Sequence, residues 1–182
     1  MRRSATSPTA EPAGDHPAVT AAALDVHYPP AGGARAAAVL ATGPDFAAPF
    51  QERTAWLEKA APYRPGAFFE RELPALRAVL AGLSPALLVV DGYVDLDPAG
   101  RPGLGAHLHH EFGVPVIGVA KTPFRAATHA RPVLRGTATN PLLVTAAGLP
   151  AAEAAAIVAA MSGPFRLPDA LRRVDALARH GR

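Results

Sequence analysis

The sequence contains no cysteine. Disulfide frameworks and thiolate chemistry are therefore excluded, and any bound metal must use oxygen or imidazole ligands. The sequence also lacks an uninterrupted run of eighteen apolar residues, so no membrane span is expected. Arg2-Arg3 is followed by no apolar segment of the kind found in signal peptides, so we expect a cytoplasmic protein.

The chain has 182 residues, of which 49% are apolar, and this favours one globular domain. We place that domain at residues 21–182. Residues 1–20 are rich in Ser, Thr, Pro, Ala and Gly without periodicity, which predicts a disordered N-terminal arm.

The formal net charge of +3 is unevenly distributed along the chain. Residues 1–120 hold nine Lys/Arg and twelve Asp/Glu, whereas residues 121–182 hold nine and three. An acidic part suits a cation site and a basic part suits a polyanion, although solvated surface arginines explain the same distribution equally well.

The stretch Leu87-Leu88-Val89-Val90 is typical of a strand buried on both faces, and Asp91-Gly92 ends it. In open α/β sheets, functional sites gather at the carboxyl ends of such strands. A glycine there lets another group approach the backbone closely. The sequence therefore predicts a site around Asp91.

The remaining patterns predict the order β-β-α-β-α-β-β-β-α-α, a mixed sheet with helices on its faces. Residues 51–61 are predicted to form either a short helix or an extended connector. The predicted strands are 21–28, 35–42, 87–90, 114–120, 131–136 and 142–145, and the predicted helices are 75–80, 106–112, 151–161 and 168–179.

Three carboxylates, Asp25, Glu72 and Asp91, lie at the ends of predicted elements, and Lys121 ends the strand after Asp91. Carboxylates without cysteine or a paired histidine favour Mg²⁺ or Mn²⁺, ions that drive attack of water on phosphodiesters. A lysine stabilises charge that builds on the phosphate. Simpler interpretations are a solvent-facing Asp25 and a Glu72 that favours a helix N-terminus.

The loop Pro62-Tyr63-Arg64-Pro65-Gly66 is stiff because two prolines fix its backbone. Tyr63 is then either a wedge that stacks on a partner or a tyrosine packed in a turn. His107, His109 and His110 do not have the spacing of a metal-binding pair, and we interpret them as surface or satisfied side chains.

Several motifs, in order, resemble those of the endonuclease V family over residues 22–180. They are Asp25-Val26-His27-Tyr28, Pro62-Tyr63-Arg64-Pro65-Gly66 with Phe69-Glu70-Arg71-Glu72, Val90-Asp91-Gly92, Gly103-Leu104-Gly105-Ala106-His107, Gly118-Val119-Ala120-Lys121 and Phe165-Arg166-Leu167-Pro168. The resemblance implies an RNase H-like α/β fold and hydrolysis of a phosphodiester 3′ of deoxyinosine in DNA or inosine in RNA.

The resemblance also implies residue roles. Asp25, Glu72 and Asp91 would be the metal-site carboxylates, and Lys121 the active-site lysine. Residues 62–65 would be the wedge that fills the gap left by an extruded base. Gly66, Gly92 and Gly103 would line a hypoxanthine pocket, because a Cβ there would block the base. We expect a monomer that binds inosine-containing nucleic acid and no membrane.

Three departures from the family pattern stand out. The family segment DGHG is Asp91-Gly92-Tyr93-Val94 here, the histidine of a segment SPGH aligns with Gly148, and the N-terminal helix is replaced by the arm. The missing histidine predicts slow cleavage with a preference for Mn²⁺, and a rate gain when a histidine is installed at Gly148. Two other functions stay open: a nucleic-acid-binding relative with lost or weak cleavage, and an unrelated structural domain that matches by coincidence.

Overall fold

The computed structural model describes residues 20–47, 50–62, 64 and 68–181. In this part of the chain, seven strands form one mixed sheet in the order β3-β2-β1-β4-β5-β7-β6. The elements are β1 Ala21–His27, β2 Ala34–Ala41, β3 Gln51–Leu57, α1 Phe68–Leu80, β4 Leu87–Asp91, α2 Leu104–Phe112, β5 Val116–Ala120, β6 Arg131–Val133, β7 Leu142–Ala147, α3 Ala151–Ala160 and α4 Asp169–His180. The predicted arm, residues 1–20, lies outside the described residues except for Thr20.

The sheet separates two apolar cores. Helices α1 and α2 cover one face and α3 and α4 the other, so alternate residues of each central strand enter different cores. In β4, Val89 packs on the side of α3 and α4, and Leu88 and Val90 pack on the other side. Burial on both faces explains why this strand is continuously apolar, as predicted.

The three strands at the centre of the sheet run in the same direction. β1 pairs with β4 and β4 pairs with β5, both in parallel. Leu24 is the register partner of Val90, and Asp91 is the partner of Val119. The carboxyl ends of β1, β4 and β5 therefore meet at one edge of the sheet, which is where Asp25, Asp91 and Lys121 lie.

Gln51–Leu57 is a strand. Of the two alternatives for residues 51–61, the short helix was therefore wrong, and the chain is extended. β3 pairs antiparallel with β2 at the sheet edge, and most of its side chains are exposed. Because an edge strand owes its stability to pairing more than to burial, its polar sequence Gln-Glu-Arg-Thr shows no apolar alternation.

Helix α1 begins at Phe68, seven residues earlier than predicted, and that prediction was wrong. The sequence interpretation put Pro74 in the first turn, but Pro74 lies inside the helix. The apolar stripe extends back through Leu73 to the partly buried Phe69, and its packing offsets the cost of the proline. Glu72 is therefore a helical residue that faces the core, and it does not precede a helix N-terminus.

The other elements match the predicted types, with ends shifted by up to three residues. β5 begins at Val116, because the preceding Gly113 adopts a left-handed conformation that closes α2, with its N–H donating to the carbonyl of His109. No helix in the described ranges is long and apolar enough to cross a bilayer.

Candidate active site

The three carboxylates predicted from the sequence line one cleft of about 270 Å³. Asp25 comes from β1, Glu72 from α1 and Asp91 from the end of β4, and Gly92 completes the floor. Leu24, Leu76 and Val90 form apolar walls around them. The sheet register and the longer α1 thus bring together residues that are up to 66 positions apart.

Burial and mutual repulsion disfavour negative charge in this cleft. Glu72 is only 8% exposed, and burial, reinforced by Asp25 and Asp91, raises its pKa to about 8. Burial also raises the pKa of Asp25 to about 6, although the Val26 N–H donates to Asp25 Oδ1 at 2.9 Å and partly offsets this. Protons or a cation must neutralise the cluster near neutral pH.

Lys121 lies beside the carboxylates, as predicted. Its Nζ is 2.6 Å from Oδ2 of Asp91, and both side chains are 38% exposed. Lys121 follows the last residue of β5, so the parallel pairing of β4 and β5 sets its approach to Asp91. An exposed ion pair of this kind contributes little to stability, so an anion can replace Asp91 as the partner of Lys121.

A fourth carboxylate, Asp175 on α4, was missed by sequence reasoning. Asp175 lines a small cavity together with Asp25, Asp91 and Lys121, and its charge contributes to the raised pKa of Asp25. Arg179 donates to Asp175 at 3.0 Å, and this bond is the main cause of the lowered pKa of Asp175.

A sequence signal for Asp175 did exist. The i, i+4 spacing to Arg179 resembles an ordinary surface pair on a helix, which hid the residue. However, Asp175 directly follows Val174 and lies four residues after Leu171, both of which are buried. That placement puts it at the border of the buried face of α4 and not on the solvent face.

The oxygen-rich donor set suits a hard divalent cation. Within the ranges described above, no three Asp, Glu or His side chains stand in a ready-made ion site. Asp25 accepts from its neighbour's N–H and Asp91 is paired with Lys121, so these carboxylates face partners other than a common centre. Among the described residues, Glu72 has no hydrogen bond or ion pair, and the charge of its neighbour Arg71 only partly offsets the raised pKa.

The histidines of α2 do not join this site, in line with the sequence interpretation. Nδ1 of His109 lies 2.8 Å from the carbonyl oxygen of Val114. The ring of His107 stacks on Phe69 with centroids 3.5 Å apart, and burial lowers its pKa. Both side chains are accounted for by local packing.

A second cavity of about 270 Å³ adjoins the carboxylates and is mostly apolar. It shares five lining residues with the first cleft: Phe68, Glu72, Asp91, Gly92 and Leu104. Its other walls come from Phe69, Tyr93, Leu96, Pro102 and Gly103. A charged, cation-suited cleft therefore opens directly onto a space suited to a planar, apolar group.

Two glycines line this cavity, and glycine is favoured at each position for a different physical reason. Gly92 has φ +109°, which disfavours other residues, and a Cβ there would enter open space. A Cβ on Gly103 would lie 2.6 Å from the carbonyl oxygen of Tyr93. Gly103 thus lets the start of α2 pack against the loop after β4, and it also lines the apolar cavity.

The predicted wedge loop is described only in part. Pro62 and Arg64 are exposed, and Arg64 is 3.2 Å from Glu70. Tyr63, Pro65 and Gly66 lie outside the described residues, so their roles stay predictions.

The prediction that a histidine at Gly148 would serve this site was wrong. β7 runs antiparallel to β5, so Gly148 lies beside Pro115 at the start of β5, whereas Lys121 follows its end. A Cβ on Gly148 would also lie 2.7 Å from the ring of His109. The position aligned with the family histidine thus lies at the opposite edge of the sheet from the carboxylates. The absence of a histidine at Gly148 therefore gives no reason to expect slow cleavage or an Mn²⁺ preference.

The comparisons with known proteins agree with this geometry. The sequence profile of the endonuclease V family matches residues 4–152. Endonuclease V of Streptomyces coelicolor is 35% identical over 179 residues, covering 86% of this chain and 76% of the relative. The crystal structure of endonuclease V from Streptomyces avermitilis is similar with a TM-score of 0.74 at 32% identity, covering 91% of this chain and 83% of that one.

A structure of Ciona intestinalis endonuclease V, solved with a 24mer DNA that contains an inosine followed by a ribo-adenosine, has a TM-score of 0.72. It is 20% identical and covers 90% of this chain and 85% of that one, so it supports the fold alone.

A mixed sheet with carboxylates at the edge shared by parallel strands defines an RNase H-like α/β domain, as predicted. Within that class, the profile match and the identity to the Streptomyces coelicolor protein show that the chain belongs to the endonuclease V family.

Proposed function

We propose that this protein is a divalent-metal-dependent endonuclease that hydrolyses a phosphodiester on the 3′ side of deoxyinosine in DNA or inosine in RNA. The observation that carries the proposal is the carboxylate cleft that opens onto an apolar cavity with Lys121 at its rim. Family membership supports the choice of substrate, since the Ciona member of this family was solved with inosine-containing DNA.

The carboxylates would hold Mg²⁺ or Mn²⁺. Asp25, Glu72 and Asp91 present only oxygen donors, and Asp175 adds a fourth carboxylate from α4. The raised pKa values of Glu72 and Asp25 fit a cation, because a positive charge would relieve the repulsion that burial amplifies. When bound, the ion would supply a water of lowered pKa and positive charge for the phosphate.

Lys121 would stabilise the charge that develops on the phosphate. Its Nζ lies 2.6 Å from Oδ2 of Asp91 and the side chain is partly exposed, so a phosphate oxygen can replace or share that partner. Asp91 would in turn be freed to face the ion. The Lys121–Asp91 pair would thus hold the two groups side by side at the cleft.

The apolar cavity would receive the extruded hypoxanthine base. Phe68, Phe69 and Leu96 offer apolar surface for the faces of a purine. The loop at residues 62–66 would fill the gap that the base leaves. The binding-only alternative gains no support, because no member of the carboxylate trio is replaced.

Nicking of labelled oligonucleotides tests the proposal. Substrates with one deoxyinosine in DNA or one inosine in RNA are incubated with Mg²⁺, Mn²⁺ or EDTA. We expect one cut on the 3′ side that requires metal, and a loss of at least about 10²-fold in Asp91→Asn. Arg77→Gln is the control, since it removes only the exposed ion pair with Glu111 between two helices. Binding without cleavage under every condition would contradict the nuclease and favour the binding module.

A further inference from the structure

A single side chain ties together the two loops that carry the reacting groups. The hydroxyl of Tyr93 donates to the carbonyl oxygen of Thr122 at 2.9 Å and accepts from the backbone N–H of Phe124 at 3.0 Å. Tyr93 lies two residues after Asp91, and Thr122 directly follows Lys121. The hydroxyl therefore bridges the loop after β4 and the loop after β5.

The loop after β4 provides a rigid base for this side chain. Gly92 N–H donates to the carbonyl of Val119 at 3.1 Å, and Val94 N–H donates to Oγ1 of Thr145 at 2.8 Å. Val94 is fully buried, and its carbonyl accepts from Gly103 N–H at 2.7 Å. Both neighbours of Tyr93 are thus fixed to the body of the sheet, so the direction of its ring is fixed as well.

The loop after β5 is exposed and depends on side chains from elsewhere. Arg166 donates to the carbonyl of Lys121 at 2.6 Å, and Tyr93 holds the next carbonyl, that of Thr122. The two successive peptide groups that follow the Lys121 Cα are thereby held from two directions. Their orientation sets the direction in which the Lys121 side chain leaves the backbone.

We propose that Tyr93 is a positioning residue that holds Lys121 over Asp91 through its hydroxyl bridge to the loop after β5. The proposal rests on the proposed function for its kinetic consequence, but not for its structural one.

The consequence for the reaction follows from geometry. Tyr93→Phe keeps the ring that lines the apolar cavity and removes only the hydroxyl, which is engaged with the loop after β5, so substrate binding should stay nearly intact. A displacement of the Lys121 ammonium by about 1 Å is enough to lower the rate of the chemical step by up to about 100-fold. The effect should therefore appear in the single-turnover rate and not in the dissociation constant.

The chain has only two lysines, Lys59 and Lys121, which makes a direct structural test possible. Reductive ¹³C-methylation of the full-length protein keeps both charges and gives a separate NMR signal for each lysine. In wild type, we expect the Lys121 signal to differ from that of Lys59 because of the pair with Asp91. In Tyr93→Phe, it should move towards the Lys59 signal. An unchanged Lys121 signal would overturn the proposal, whatever the activity of the protein.

The kinetic test compares Tyr93→Phe with Arg53→Gln. The control removes a comparable hydrogen bond, from Arg53 to the carbonyl of Ala81 at 2.7 Å, far from the cleft. We expect the single-turnover rate of Tyr93→Phe on the deoxyinosine oligonucleotide to fall about 10-fold or more, with a dissociation constant within about threefold of wild type. A fall in affinity without a fall in rate would contradict a positioning role.

The two tests separate failure of this inference from failure of the proposed function. If wild type does not cleave inosine substrates but the Lys121 signal moves in Tyr93→Phe, the bridge is upheld and the substrate assignment is wrong. If wild type cleaves and neither signal nor rate changes in Tyr93→Phe, the bridge plays no part in positioning Lys121.

Discussion

At the scale of single residues, Glu72 is the most informative side chain of the cleft. It is helical, 8% exposed and surrounded by other carboxylates, and its pKa is raised to about 8. The folded protein therefore keeps the proton of Glu72 up to about pH 8, whereas the unfolded chain releases it near pH 4.5. In the absence of metal, stability must fall as the pH rises through that range.

Glu72→Gln should remove this dependence, because glutamine has a similar shape and carries no charge. In EDTA at pH 8.5, we expect the variant to unfold several °C above wild type, since each kcal/mol corresponds to about 2–4 °C for a domain of this size. At pH 5, where Glu72 is protonated in the folded state, the two midpoints should be close. Circular dichroism melts at both pH values measure this, and equal pH slopes for the two proteins would show that Glu72 is not repelled in the folded state.

Tyr63 is the second single residue with a testable role, that of the predicted wedge. If Tyr63 stacks on bases beside the gap, Tyr63→Ala should lose about 1–3 kcal/mol of binding, which is about tenfold or more in the dissociation constant. The melting midpoint should not change, because the neighbouring Pro62 and Arg64 are exposed. Fluorescence anisotropy with an inosine oligonucleotide gives the dissociation constant, and a variant that unfolds would show instead that Tyr63 packs in the protein.

At the scale of elements, α4 contributes more than its surface character suggested. Its buried Leu171 and Val174 pack on the sheet, and Asp175 at the border of that stripe reaches the cavity shared with Asp25 and Lys121. The arginines of this helix, which dominate its sequence pattern, are in part paired with acidic neighbours. A helix can thus look like a solvated surface and still deliver one residue to a site.

Asp175→Asn should lower the single-turnover rate by about tenfold or more while the fold is retained. The lost pair with Arg179 is partly exposed and contributes little to stability. Asp169→Asn is a matched control, because it removes the pair with Arg172 on the same helix without facing the carboxylate cleft. Equal rates for both variants would remove Asp175 from the catalytic group.

Several elements were predictable because their sequence pattern reports burial. The central strand, β5 and α4 have patterns that match their surroundings, and Asp91 at the end of the central strand lies in the carboxylate cleft. The start of α1 was not predictable in the same way, since Pro74 normally favours a first turn and only the packing of Phe69 and Leu73 reveals the longer helix. β3 was ambiguous because an exposed edge strand has no apolar period.

At the scale of the whole molecule, the parallel register of β1, β4 and β5 determines which residues meet. This register explains why Asp25, Asp91 and Lys121 form one group and why Gly148, at the other end of β5, does not belong to it. A sequence alignment carries no information on strand direction. Only the fold could therefore show that Gly148 lies away from the carboxylates. Asp175 was missed for a related reason, because α4 and β1 are far apart in the sequence and contact each other only in the folded protein.

The measurement that tests the central claim most directly is Mn²⁺ binding followed by electron paramagnetic resonance. Wild type, Asp91→Asn and Arg77→Gln are titrated with Mn²⁺ at pH 8 in the presence of an inosine oligonucleotide with a non-cleavable linkage. We predict one or two bound ions in wild type and Arg77→Gln, and at least one fewer, or affinity about tenfold weaker, in Asp91→Asn. Equal binding by all three proteins would contradict the assignment of the carboxylate cleft as the metal site.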